Sequence, residues 1–387
     1  KEIICNESQE RMGLIVSESA RDLLTRIGER EKSPAYFCGT IKGDKKVVFK
    51  GKEGNPIDLP LDVLLGSSPK TELFDEVDLS KEPPLKFDFK SGDELRRQIK
   101  KVLSLEGVAC KDWLTNKVDR SVTGKVAMQQ CCGPLQLPLV GFGISALDYL
   151  GEQGIAVSTG HAPIPGLISP AKGARLSVAE ALTNIVFAPL REKLSSVVLS
   201  ANWMWPAKQK HENAKLYEAV EALSKVCIDL GISVPTGKDS LSMTMKYSDD
   251  LSVKAPGTVV VTAVGHTDNH QKAVTPDLKP VDGSKLVYIN LAGVGSYELG
   301  GSSFAQTLNQ LGDSAPDFDV EIFKRGFNLI QQLLNEELIL AGQDISAGGL
   351  ITALLEMCFA GDVGAKIDLQ DVSSNDGLIR FIFSEQP

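Results

Sequence analysis

Apolar positions along this chain fall into two rhythms. Short continuous or alternating runs bounded by turn residues predict strands at 47–49, 197–199, 257–264 and 286–291. Strand character also marks 3–5, 12–16, 36–38, 136–144, 339–340 and the run that ends at Phe383. Apolar residues at helical spacing predict helices over 17–29, 92–105, 169–188, 213–230 and 318–338. Ser17 and Ser91 are placed as N-caps, and Pro170 suits a first helical position. In the 169–188 helix Val178, Leu182 and Ile185 point to the core, while Glu180 and Asn184, four apart, share a face.

These elements group into blocks. Residues 1–75 form the first, 76–105 a linker and helix marked by Glu82-Pro83-Pro84, 106–270 the central block and 284–387 the last. At 387 residues the chain suffices for about two to three domains with real cores. The head, Ile4-Cys5-Asn6-Glu7-Ser8-Gln9, echoes the tail, Ile382-Phe383-Ser384-Glu385-Gln386. The echo suggests that the head is the later part of a module whose earlier part resembles the tail.

Composition then removes several classes. A formal charge of -9 and the lack of a basic stripe argue against nucleic acid as a partner. No apolar run approaches the roughly 18–20 residues that span a bilayer, so no membrane partner is expected. Seven scattered cysteines fit a reducing, cytoplasmic setting better than a disulfide framework. Cys131 and Cys132 are adjacent, without zinc-site spacing. The chain opens on Lys1 inside one strand-like run and stops at Pro387 just after another, so an internal fragment of a longer protein is expected.

Candidate chemistry concentrates in four places. Pro235-Thr236-Gly237-Lys238-Asp239-Ser240-Leu241-Ser242-Met243 reads as a polar turn after an apolar run. There Gly237 lets the backbone approach a ligand, and Lys238, Ser240 and Ser242 can address phosphate oxygens. Walker A spacing is absent, and a ligand-free turn fits the same residues. Glu7-Ser8-Gln9 gathers hydrogen-bonding groups at a strand end, as a site or a solvated turn would. Glu180 and Asn184 suit a hard cation such as magnesium, and equally a solvated helix face. Asp344 and Ser346 precede Gly348 and Gly349 at a helix entry, which fits metal–phosphate work or simple capping by Ser346. Trp203 and Trp205 read as base-stacking or as core residues.

Several long motifs occur in one order: Asn6-Glu7-Ser8-Gln9-Glu10-Arg11, Leu59-Pro60-Leu61-Asp62-Val63-Leu64-Leu65-Gly66 and Asp119-Arg120-Ser121-Val122-Thr123-Gly124. Then come Ala174 to Asn184, Ser200-Ala201-Asn202-Trp203-Met204 and Thr236 to Met243. Together they resemble, nearly end to end, the large single-chain phosphoribosylformylglycinamidine synthase family of purine biosynthesis.

The resemblance implies an α/β and α+β architecture. An N-type α+β domain like that of aminoimidazole ribonucleotide (AIR) synthetase, residues 106–270, would be flanked by partial C-type α/β domains. Residues 1–75 would be the later part of the first C-type domain, and 284–387 the earlier part of the second. The implied reaction converts formylglycinamide ribonucleotide, ATP and glutamine to formylglycinamidine ribonucleotide, ADP, phosphate and glutamate. ATP would phosphorylate the amide oxygen, and ammonia from a glutaminase domain would displace the phosphate. Carried over residue by residue, Glu7, Ser8, Gln9 and Ser240 contact substrate, and Gly237 and Lys238 lie beside nucleotide. Glu180, Asn184 and Asp344 hold magnesium at an auxiliary ATP/ADP site, and Ser346 contacts its nucleotide. The chain departs from the family at Gly141 and Ala347, where aspartates are common, which weakens the expectation of a filled auxiliary site. His161, His211, His266 and His270 match no catalytic role. The catalytic histidine and the glutaminase are expected in missing N-terminal and C-terminal domains, so the chain alone is expected to be inactive. An alternative reading is a non-catalytic scaffold that holds a structural nucleotide.

Overall fold

The computed structural model describes residues 11–67, 72–115, 124–248, 251–293, 297–369 and 375–387. They belong to two units, Lys1–Glu72 and Leu73–Pro387. In the first, Asp22 and Arg30 sit at opposite ends of helix α1 (Arg21–Arg30), each favourable to the helix dipole. Strands β1 (Lys46–Gly51) and β2 (Gly54–Pro60) pair as an antiparallel hairpin, and α2 (Leu61–Leu64) follows at once. The stretches 12–16 and 36–38, expected as strands, join no ladder among the described residues. A short apolar run becomes a strand only where a neighbour takes up its backbone groups.

The second unit opens with α3 (Gly92–Leu103). Ser91 Oγ accepts the Glu94 N–H at 3.3 Å, with Asp93 and Glu94 in the first turn and Lys100 and Lys101 in the last. After α4 (Asp112–Thr115) come β3 (Val126–Met128), β4 (Phe142–Ala146) and β5 (Gly154–His161). Next are α5 (Pro163–Ile168), α6 (Pro170–Ile185), β6 (Val198–Met204), α7 (Glu212–Leu230) and β7 (Ser233–Ser240). A small hairpin, β8 (Thr244–Lys246) with β9 (Ser252–Lys254), precedes β10 (Thr258–Thr267). The main sheet runs β3-β4-β5-β10-β6-β7. Its neighbours are antiparallel except β6 and β7, which are parallel and joined through α7, as a crossover requires.

Alternation along the strands decides what each face does. Ala156, Ser158, Leu199, Ala201, Val259, Val261 and Ala263 are buried under the helices, whereas Val157, Thr159 and His161 are exposed on the other face. On α6, Val178, Leu182 and Ile185 are fully buried, as expected, each contributing about 1.5–3 kcal/mol. Trp205 is buried, with Gly257 directly against its ring, so this tryptophan is core.

The last block adds α8 (Ser303–Thr307), α9 (Val320–Asn335), α10 (Gly349–Gly361) and α11 (Asn375–Phe383). The strands expected at 286–291 and 339–340 join no ladder among the described residues, and the run ending at Phe383 is helix α11. Side chains such as Gln331 and Arg175 join this block to the sheet layer. Gln331 Nε2 donates to Val186 O and Ala188 O, and its Oε1 accepts the Leu190 N–H. Arg175 pairs with Asp317 at 2.8 Å and covers the Phe318 ring at 4.7 Å. A second apolar cluster forms around Phe304, which stacks on Phe383 at 4.8 Å and meets Phe87 edge-on at 5.2 Å. Much of the expected linker is thereby packed within the second unit.

Candidate functional site

Helix α6 carries Glu180 and Asn184 because its apolar stripe fixes the opposite face in the core. Glu180 points into a cavity of about 740 Å³ within the second unit. Its walls come from the 105–111 loop, the end of β5 at His161, α6, the glycine-rich turn before α8, the 345–347 turn and the tail at Glu385 and Pro387. Ser346 Oγ lies 2.5 Å from Glu180 Oε1 and donates to it, joining the last block to the helix of the sheet layer. Burial, then the nearby Asp344 charge, pushes Glu180 up to about 8. Burial likewise raises Asp344 to about 6, and its Oδ2 is buried without a hydrogen-bond partner. Asn184 Nδ2 donates to Thr159 O at 3.0 Å.

Two carboxylates and an amide oxygen from adjoining elements suit a hard divalent cation. The orphaned Asp344 oxygen and the cost of charging Glu180 are both relieved by a bound cation. Among the described residues no group of three or more His, Cys, Asp or Glu is arranged to hold a metal, so ligand phosphate or water would complete the shell. Gly141 bears directly on this set: a Cβ there would lie 2.0 Å from Asn184 Oδ1. The missing aspartate therefore leaves the space that Asn184 uses.

The structure brings Glu180, Ser346, Asp344 and Asn184 together and sets Gly237, Lys238 and Ser240 apart. The 236–240 stretch, expected as a turn, is the edge strand β7. Gly237 is needed for close strand approach, since a Cβ there would meet Ala201 O at 2.2 Å. Lys238 Nζ donates to Ser240 Oγ at 2.5 Å on the exposed strand. Register places Lys238, Asn202, Val260 and His161 in one row across the sheet. Lys238 is thus three strand spacings, about 14 Å, from the cavity wall at His161. Glu7, Ser8 and Gln9 lie outside the described residues.

Sequence reasoning missed Glu385 and His161. The tail echo served only to suggest a module arrangement, and only the fold reveals the partners of Glu385. Burial raises Glu385 above the usual carboxylate range, and backbone donors at Gly348 and Ser303 oppose the rise.

Residues 110–266 match the family model described as FGAR-AT PurM_N-like domain, and 282–386 match AIR synthase related protein, C-terminal domain. The phosphoribosylformylglycinamidine synthase of Homo sapiens is 40% identical, the match covering 98% of this chain and 29% of that protein. The Dictyostelium discoideum protein of the same name is also 40% identical, with 98% and 29% covered. Thermotoga maritima PurL complexed with ATP shares the fold at TM-score 0.55 and 16% identity, over 92% of this chain and 49% of that one. The same protein complexed with FGAR gives TM-score 0.51 and 14% identity, over 77% and 44%. The sheet domain thus matches an FGAR-AT PurM_N-like domain and the block after it an AIR synthase related C-terminal domain, which sets the class the chain resembles. Within that class it is similar to the phosphoribosylformylglycinamidine synthases, and it spans 29% of the length of the human and Dictyostelium relatives.

Proposed function

We propose that this chain is the part of a formylglycinamide ribonucleotide-amidating, ATP-dependent C–N ligase that surrounds its auxiliary nucleotide site. The observation that carries the reading is the contact of Ser346 with Glu180 across the cavity wall, with Asp344 and Asn184 beside it. Near-complete coverage of this chain at 40% identity supports the enzyme class. Thermotoga PurL complexed with FGAR and with ATP supports the substrate and nucleotide classes.

In this reading Glu180, Asp344 and the Asn184 amide oxygen hold magnesium, and Ser346 offers its hydroxyl to a phosphate oxygen. The cation, when bound, supplies positive charge to a diphosphate. Ala347 is exposed beside Ser346 and supplies no carboxylate, so the shell relies on those three side chains. Ser240 on β7 contacts substrate, Gly237 and Lys238 lie beside nucleotide, and Glu7, Ser8 and Gln9 are further substrate-binding residues of the enzyme. The catalytic histidine and the glutamine amidotransferase domain belong to further parts of the enzyme. A cytoplasmic setting fits the free thiols of Cys38, Cys110, Cys132, Cys227 and Cys358. No described helix is long and apolar enough to cross a membrane.

A segment exchange tests the reading. This chain replaces its counterpart, about 29% of the Dictyostelium enzyme, and the purified chimera is assayed with ATP, formylglycinamide ribonucleotide and glutamine. Turnover by the folded chimera is expected. A chimera that folds, as circular dichroism reports, yet shows no turnover contradicts it.

A further inference from the structure

Glu385 lies in the cavity wall near Glu180, two residues past the end of α11. Its Oε1 accepts the Ser303 N–H at 2.8 Å and the Gly348 N–H at 2.7 Å. Those amides belong to two different cavity loops. One is the glycine-rich turn that enters α8, and the other is the Ser346-Ala347-Gly348 turn that enters α10. The tail that carries Glu385 is itself held. Ser384 Oγ donates to Glu298 O at 3.3 Å, and Ala292 N donates to Pro387 O at 2.8 Å.

Resting on the nucleotide reading of this cavity, we propose that Glu385 is its positioning residue. One carboxylate oxygen sets the spacing of the two loops and so holds Ser346 against Glu180. Hydrogen bonds of 2.8 and 2.7 Å to a single oxygen tie both loops to one atom. Truncating the side chain leaves both N–H groups without their acceptor and frees the Ser346 turn.

The test uses the 387-residue chain with Glu385→Ala and Glu385→Gln. Amide exchange at 300–303 and 346–349, without ligand, reads the bridge directly. Mg-ADP titration calorimetry reads its effect on the cavity. Glu385→Ala is expected to lose about tenfold in protection at both loops and about tenfold in Mg-ADP affinity. Glu385→Gln keeps an accepting oxygen and stays within about threefold on both. Unchanged protection in Glu385→Ala overturns the proposal. So does tighter Mg-ADP binding, which would mean that the carboxylate competes with the ligand for those N–H groups. Should Glu385→Ala not fold, Glu385→Asp withdraws the oxygen by one methylene and must show the same loss of protection. If the wild-type chain binds no Mg-ADP, the nucleotide reading fails while the exchange result still decides the role of Glu385.

Discussion

Asn184 fills the space that Gly141 leaves open, and its amide nitrogen bonds Thr159 O. A methyl at residue 141 must displace Asn184 and break that bond, at a cost of about 1 kcal/mol. Gly141→Ala is therefore expected to lower the urea midpoint, and Asn184→Ala in the same chain to absorb most of that loss. Additive effects in the double-mutant cycle would contradict the coupling. The pairing also explains why spacing alone did not settle the metal set. Glu180 and Asn184 were legible as one helix face. Which of their atoms is free depends on a glycine more than forty residues earlier in the sequence.

Elements with a strong local signal were legible. Ser91 caps α3, Ser169 Oγ accepts from Lys172 N at 3.3 Å to cap α6, and the β-branched run became β10. Elements decided by partners were not. Gly237-Lys238-Asp239 has the composition of a turn, but the neighbouring β6 makes it a strand. The start of α7 was legible to within one residue, but its cap was hidden, because the capping carboxylate comes from the 73–76 stretch. Asp75 accepts the N–H groups of His211, Asn213 and Ala214 at 3.0, 3.0 and 3.2 Å. Slight burial raises the Asp75 pKa, but these donors and Glu76 N–H together bring it below the ordinary value of 3.8. A depressed carboxylate stabilises the fold above its unfolded pKa and loses that contribution as pH falls through the folded value. Asp75→Ala should melt below wild type at neutral pH, with the gap closing under acidification to about pH 2. A gap independent of pH in thermal melts would remove the carboxylate from the cap.

Over the whole molecule, the central domain was legible from its motifs, whereas the joining of sheet layer and last block was not. That joining rests on single polar side chains such as Gln331, which satisfies Val186 O, Ala188 O and Leu190 N in a buried setting. Gln331→Leu leaves three buried backbone groups unpaired and should cost about 2–4 kcal/mol in urea unfolding. A loss under about 0.5 kcal/mol, the scale of an ordinary surface substitution, would contradict this role. The same joining sets Ser346 against Glu180, and the cavity between them is the central claim. Mg-ADP titration calorimetry of the 387-residue chain tests it most directly, beside Glu180→Ala. Saturable binding of one nucleotide per chain, weakened at least about tenfold by Glu180→Ala, is the predicted result. No binding heat, or binding indifferent to Glu180, would contradict it.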